Sequence, residues 1–111
     1  MKRPIYGIAA FGLLIPLPGP ARAQYDYTTL DVPGAILTVA IAINDAGQIV
    51  GRYTVGGGDH GFLLDVDGSY TTLDVPGVTG TQAWGINDNG QVVGQAAADG
   101  RNHGFLATPV P

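Results

Sequence analysis

Apolar and polar residues alternate along short stretches of this chain, with turn-forming residues between the stretches. In the sequence YTTLDV, at residues 27–32, Leu30 and Val32 fall on one side of an extended chain and Asp31 on the other. This period of two residues is typical of a half-buried β-strand, and no long stretch shows the period of an amphipathic helix. Further strands are predicted at residues 38–43, 48–55 and 60–65. The pattern therefore predicts an all-β fold.

Two kinds of turn are predicted between these strands. Pro33 fixes φ at the second position of a turn and Gly34 accepts a positive φ at the third, which predicts a type II turn. In the sequence NDAG, Asn44 can bond back to the backbone and Gly47 can adopt the left-handed conformation. These residues predict a β-hairpin closed by a type I turn with a bulge.

The chain repeats itself with an offset of 43 residues. The sequence YTTLDVPG begins at Tyr27 and again at Tyr70, and a gap-free pairing of the two copies gives 22 identities. The identities fall in three blocks: YTTLDVPG, INDAGQIVG against INDNGQVVG, and HGFLL against HGFLA. An alignment without gaps indicates that one supersecondary unit was duplicated whole.

Each copy is predicted to form four short antiparallel strands in about 43 residues, the size of one β-propeller blade. We therefore predict two tandem four-stranded antiparallel repeats that are β-propeller-blade-like. The first covers residues 24–69, and the second, which is C-terminally short, covers residues 70–111.

The first 23 residues have the pattern of a signal peptide. Lys2 and Arg3 precede an apolar stretch at residues 5–15, and Ala21 and Ala23 form the small-x-small pattern that signal peptidase cleaves. The apolar stretch is shorter than the roughly 18 residues that a membrane-spanning helix requires. We therefore expect cleavage after Ala23 and a secreted protein, either extracellular or periplasmic, with no membrane span in the mature chain.

Removal of this leader would leave a strongly acidic chain. All nine acidic residues are aspartates that follow residue 23, whereas the only basic residues there are Arg52 and Arg101. The resulting net charge of −7 repels phosphate backbones, so nucleic acid is not an expected partner. The chain contains no cysteine, so disulfides cannot stabilise it.

The ordered blocks I-N-D-x-G-Q-x-V-G, H-G-F-L and a following D-G turn resemble the HAF-type extracellular repeats of bacterial secreted proteins. The resemblance covers both copies, at residues 27–107, but the His-Ala-Phe triplet of that family is His-Gly-Phe here at His60 and His103. Proteins of this type usually carry more than two repeats. The resemblance implies an exported β-repeat protein with no assigned catalytic role.

No residue set for catalysis is recognisable in the sequence. Beyond residue 23 there is no cysteine or lysine, and the single serine, Ser69, lies in a predicted turn without the G-x-S-x-G pattern of a nucleophile. The aspartates lie mainly where turn formation already explains them. We therefore expect a protein that is not an enzyme.

Five residues are candidates for ligand binding. His60 and His103 are the only histidines, and they occupy equivalent positions; a structural role is favoured over ligand or metal contact. Trp84 replaces the Ile41 of the first copy, and we expect it to fill the core rather than to stack on a sugar. Asp65 and Asp67 form half of a calcium loop, so weak calcium binding is the one cofactor considered, against a plain β-turn.

Two blade-like repeats would leave sheet faces and edges uncovered, because a propeller has typically four to eight blades. The chain is expected to self-associate, to belong to a longer repeat array, or to form a compact two-sheet monomer. The favoured function is a non-enzymatic surface or matrix interaction module that binds a surface protein or carbohydrate. The alternatives are a lectin-like carbohydrate-binding ring formed by oligomerisation, and a non-functional fragment of a longer repeat protein.

Overall fold

The computed structural model describes residues 12–14 and 24–111, and every regular element in these residues is a β-strand. The strands are β1 (Gly12–Leu14), β2 (Asp26–Thr28), β3 (Leu37–Ile43), β4 (Ile49–Val55), β5 (Gly58–Leu64), β6 (Tyr70–Leu73), β7 (Gly80–Ile86), β8 (Val92–Ala98) and β9 (Arg101–Ala107). The all-β prediction is confirmed. In this described part of the chain, no helix is long and apolar enough to cross a bilayer.

The strands form three antiparallel sheets. The first sheet has the order β3-β4-β5-β6, the second sheet has the order β7-β8-β9, and β1 pairs with β2 in a separate ribbon. From β2 onward, each connection is a hairpin within a sheet or a short segment between sheets. Neither the four-stranded nor the three-stranded sheet closes on itself.

The predicted turn chemistry is confirmed at both kinds of turn. The N–H of Ala35 donates to the carbonyl of Val32 at 3.1 Å, and Gly34 has a φ of 82°, as a type II turn requires. In the hairpin between β3 and β4, the N–H of Gly47 donates to Asn44, and the φ of Gly47 is 91°. The side chain of Asn44 also accepts the N–H of Gln48 at 2.9 Å, so it holds both ends of the turn.

Both copies carry a β-bulge at the same place. The pairing register shifts between Ala40 and Ala42 on β3 and between Ala83 and Gly85 on β7. The bulge brings a carbonyl oxygen over a glycine of the next strand, so a Cβ at Gly94 would overlap the Gln82 oxygen. A Cβ at Gly51, the counterpart of Gly94 in the first copy, would overlap the Val39 oxygen in the same way. The last glycine of each I-N-D-x-G-Q-x-V-G block is therefore required by close backbone approach.

The apolar core consists of two clusters, one on each face of the first sheet. On the outer face, Val32, which lies between β2 and β3, packs on three buried residues of the sheet, Tyr53, Phe62 and Leu64. The inner face packs on the second sheet through Val50, which is fully buried with two residues of that sheet, Ala83 and Val92. Both faces of the first sheet therefore carry part of the core.

The strands group differently from the sequence repeats. We expected four strands from each copy, but β6, which begins the second copy, completes the first sheet, and the second sheet has three strands. The reason is local, because the turn at residues 65–69 folds β6 directly back on β5. The predicted signal peptide lies outside the described residues except for Gly12–Leu14.

Candidate functional site

A cluster of polar side chains around Asp59 joins the two sheets. The carboxylate of Asp59 accepts hydrogen bonds from Thr54 Oγ1 at 2.7 Å and from Gln82 Nε2 at 2.8 Å, and lies 3.5 Å from an Arg52 guanidinium nitrogen. The bonds from Thr54 and Gln82, with a smaller contribution from the charge of Arg52, lower the pKa of Asp59. Asp59 is therefore a fixed negative charge at the junction of the sheets.

Trp84 lies next to this cluster, and its side chain is half exposed to solvent. It is the extra residue of the β7 bulge, its side chain is 50% exposed, and its indole N–H donates to Gln82 Oε1 at 3.3 Å. The expectation that Trp84 fills the core is wrong. The alternation of a regular strand predicts a buried position there, but the bulge removes Trp84 from the alternation.

The arrangement combines an exposed aromatic ring with an anchored amide, a carboxylate and a guanidinium. Gln82 links the parts, because it donates to Asp59 and accepts from Trp84. Such a set suits a ligand with an apolar face and hydroxyl groups, which stacks on the ring and bonds to the polar groups. A sugar ring has both features.

The two histidines have different surroundings. His60 stacks on Tyr53 with a ring-centroid distance of 5.1 Å, and its Nδ1 lies 3.0 Å from a carboxylate oxygen of Asp74. His103 occupies the equivalent position on β9 but is exposed. The side chains of His60 and Asp74 line an open cleft of about 280 Å³ together with Asp59 and residues 75–81. His60 therefore joins β5 to the segment that crosses to the second sheet.

The two calcium candidates bond within their own turn. Asp67 accepts hydrogen bonds from the Ser69 N–H at 2.9 Å and the Ser69 hydroxyl at 2.6 Å, which lower its pKa. Asp65 accepts the Val66 N–H at 2.8 Å. Over residues 12–14 and 24–111, no group of three or more His, Cys, Asp or Glu side chains is placed to hold a metal ion. The carboxylates have the contacts of a hydrogen-bonded β-turn.

The second sheet presents an apolar surface whose counterpart on the first sheet is covered. We call Val93 and Leu106, on the side of the second sheet away from the first sheet, the open face. Val93 is 50% exposed and Leu106 is 62% exposed. The outer edge of β9 also has no strand partner within the described residues. Uncovered apolar side chains beside an unpaired strand edge are typical of an interaction surface.

Arg52, Gln82 and Asp59 were not predicted from the sequence to be parts of a site. Their counterparts in the other copy are Gln95, Val39 and Asn102, so all three positions differ between the copies, as Trp84 does from Ile41. Most turn residues of the repeat are the same in both copies, whereas some core positions differ, such as Tyr53 and Ala96. The signal was therefore present as a set of divergent positions that the fold brings together.

Comparisons with known proteins add no relative. The chain matches no protein-family model, no curated protein and no solved structure. The resemblance to HAF-type repeats therefore stays a prediction.

Proposed function

We propose that this protein is a secreted, non-enzymatic β-repeat module that acts by binding at a cell surface or in an extracellular matrix. Its two sheets serve as blade-like units of a larger repeat assembly. The signal-peptide pattern supports export, and the acidic chain supports a partner other than nucleic acid.

The observation that carries the proposal is the open face. Val93 and its counterpart Val50 are the same residue in equivalent strands, but Val50 is fully buried and Val93 is half exposed. Exposed apolar surface of this kind marks a site of interaction with another macromolecule. The open face is therefore the surface through which the module binds.

Export and retention test this function together. The gene is expressed in a bacterium with its own leader, and the protein is quantified in cytoplasm, cell envelope and medium. We expect the wild-type protein outside the cytoplasm, with a fraction on the envelope, and the Leu106→Lys variant exported equally but released to the medium. Val66→Lys, an exposed apolar residue of the turn between β5 and β6, is the matched control. Cytoplasmic protein, or retention that Leu106→Lys does not change, contradicts the proposal.

Carbohydrate binding is the second candidate function, and the position of Trp84 favours it. The half-exposed indole is held by Gln82, which is itself held by Asp59, so the ring is oriented before a ligand arrives. An aromatic ring fixed in this way binds at a lower cost in conformational entropy than a free one.

A glycan array with matched variants tests the carbohydrate function. Trp84→Ala should abolish any binding, and Asp59→Asn should weaken it by removing the charge on which the cluster is built. Ile41→Ala is the control, because Ile41 is the exposed bulge residue of the first copy. Binding that survives Trp84→Ala excludes this site.

A further inference from the structure

We propose that the open face and the outer edge of β9 bind the first repeat of a second copy of this chain, head to tail, in the register that joins the two repeats within one chain. The proposal rests on the proposed function and names a partner for its binding surface. The strand pairing, the apolar contacts, the hairpin-tip hydrogen bonds and the histidine contact each have a counterpart that a second copy supplies. The Gln82–Asp59 hydrogen bond does not, because its counterparts are Val39 and Asn102.

The strand pairing fixes the register. β5 pairs with β6 so that Leu64 lies opposite Tyr70 and Gly61 lies opposite Leu73. The counterparts of these two strands are β9 and residues 27–30, which begin the same YTTL sequence. Moved by 43 residues, the register places Ala107 opposite Tyr27 of the second copy. The same backbone geometry and nearly the same side chains are available for this pairing.

The receiving edge accepts an antiparallel strand in the structure. Leu13 of β1 lies opposite Tyr27 on β2, as Leu64 lies opposite Tyr70 on β6. Since β1 belongs to the predicted leader, cleavage after Ala23 would remove this strand and leave the edge of β2 free for β9 of another copy.

The apolar surfaces are complementary. Within one chain, Leu63, Leu73 and Ile86 all pack against the buried cluster between the sheets. The counterparts are Leu106, which is 62% exposed, and Leu30 and Ile43, which line an open cleft of about 300 Å³ at the other end of the molecule. Leu106 of one copy therefore fits between Leu30 and Ile43 of the next.

Polar contacts follow the same rule at the hairpin tips. The Asn44 amide donates to the Asn87 carbonyl at 3.0 Å, and the Asp45 N–H donates to an Asp88 carboxylate oxygen at 2.9 Å. Each of these contacts joins equivalent residues of the two repeats. Asn87 and Asp88 of one molecule can therefore donate the same bonds to Asn44 and Asp45 of another molecule.

The histidine contact also has a counterpart between molecules. His60 bonds to Asp74 within one chain, and the corresponding pair is His103 and Asp31, both of which are exposed. In the assembly, His103 of one copy meets Asp31 of the next. This contact gives the second histidine the structural role that His60 has.

The interface is heterologous, because it joins two different surfaces of identical molecules. Such contacts form a ring when the rotation between copies closes and a filament when it does not. Both products have a mass that is a multiple of the protomer mass.

Mass in solution is the first test. The exported protein is purified, its N-terminus is located by mass spectrometry, and its molar mass is measured by light scattering over a concentration series. We expect an oligomer that dissociates on dilution, a fall to the protomer mass for Leu106→Lys and for Val93→Lys, and no change for Val66→Lys. Circular dichroism checks that the variants remain folded. A folded wild-type monomer at every concentration overturns the proposal.

Cysteine cross-linking tests the register, since the native chain has no cysteine. Tyr27→Cys and Ala107→Cys in one chain should give a ladder of disulfide-linked multimers on oxidation. The counterpart of this pair within one chain is Leu64 and Tyr70, which lies next to the hydrogen-bonded pair Asp65 and Ser69. Leu64 and Tyr70 are therefore a non-hydrogen-bonded pair, the type of antiparallel pair in which the side chains lie closer together.

Matched variants make the cross-linking decisive. Either single cysteine can give at most a dimer, and Tyr27→Cys combined with Val66→Cys places the second thiol on a turn away from β9. A ladder from both double variants, or from neither, contradicts the proposed register. If the protein is monomeric but Leu106→Lys still releases it from the envelope, self-assembly fails and the proposed function stands. If it assembles but is not retained at the envelope, self-assembly stands and the proposed function fails.

Discussion

The first and second sheets are built from nearly the same sequence but differ in what covers them. Val50 is fully buried whereas its counterpart Val93 is half exposed, and Leu63 is partly buried whereas its counterpart Leu106 is exposed. The difference arises because the second sheet packs on the inner face of the first sheet, while no described residue packs on the equivalent face of the second. Equivalent residues of the two sheets therefore contribute unequally to the free energy of unfolding.

The local features of the two copies are the same in spite of this difference. The hairpin turns have matching hydrogen bonds at Gly47 and Gly90, and both copies have the bulge before the same glycine. Turn type and bulge depend on residues within one hairpin, whereas burial depends on the next sheet. One repeat therefore determines its own turns and bulge, and its neighbour determines which of its side chains are buried.

The largest expected difference is between Val50→Lys and Val93→Lys. A lysine at residue 50 would bury an unpaired charge between the sheets and should cost about 3–5 kcal/mol, enough to unfold a small domain. A lysine at residue 93 reaches solvent in the protomer and should cost less than about 0.5 kcal/mol when unfolding is measured at a concentration at which the wild type is monomeric. Urea unfolding followed by circular dichroism measures both.

The pair of lysine variants also checks how the sheets pack. Equal losses would mean that both valines are buried within the protomer, which would contradict the packing of the second sheet on one face only. Val50→Thr and Val93→Thr, which retain the shape, should show the same order with smaller values.

Gly94→Ala should destabilise the fold by about 3 kcal/mol, because the new Cβ would overlap the Gln82 carbonyl oxygen and the backbone would have to move. Gly51→Ala should cost a similar amount, since the bulge is common to both copies. The control is Gly85→Ala, whose Cβ meets only Val93 Cγ2 at 3.4 Å and should cost about 0.5 kcal/mol. A mild effect at residue 94 would show that the bulge relaxes.

The sequence was sufficient to predict most of the strands and turns because these depend on nearby residues, although the strand predicted at residues 27–32 ends at Thr28. The alternation at residues 38–43 and the sequence NDAG at residues 44–47 predicted a strand and a hairpin, and β3 (Leu37–Ile43) and its turn have this form. The grouping of strands was harder to predict. Whether residues 70–73 pair with β5 or with their own repeat is decided by the short turn before them, not by the repeat length.

The candidate site was only partly predictable for a related reason. Trp84 was recognised as unusual, but its exposure depends on a bulge that the alternation of apolar residues does not reveal. Asp59 and Gln82 are 23 residues apart and meet only because β7 crosses the first sheet. Contacts between sheets require the packing of the whole molecule, which no single repeat contains.

The smallest expected effect concerns the two hairpin tips, where Asp45 and Asp88 meet. A hydrogen bond to Asp88 and repulsion between the two carboxylates raise the pKa of Asp45 above its ordinary value of 3.8. The protonated form of Asp45 is thus favoured in the folded state. The stability that this pair contributes is greatest below pH 3.8 and falls as the pH rises through the raised pKa.

Asp88→Asn removes the charge but keeps the oxygen that accepts the Asp45 N–H. We expect the pKa of Asp45 to return toward 3.8 and the variant to gain stability over the wild type as the pH rises above that value. Carboxyl NMR titration measures the pKa, and unfolding at several pH values measures the stability. Because Asp59 and Asp67 have lowered pKa values and lose stability as the pH falls, only the difference between variant and wild type isolates the pair. An unchanged Asp45 pKa would mean that the two hairpins are not in contact, and the same result would remove one of the contacts that a second copy is expected to repeat.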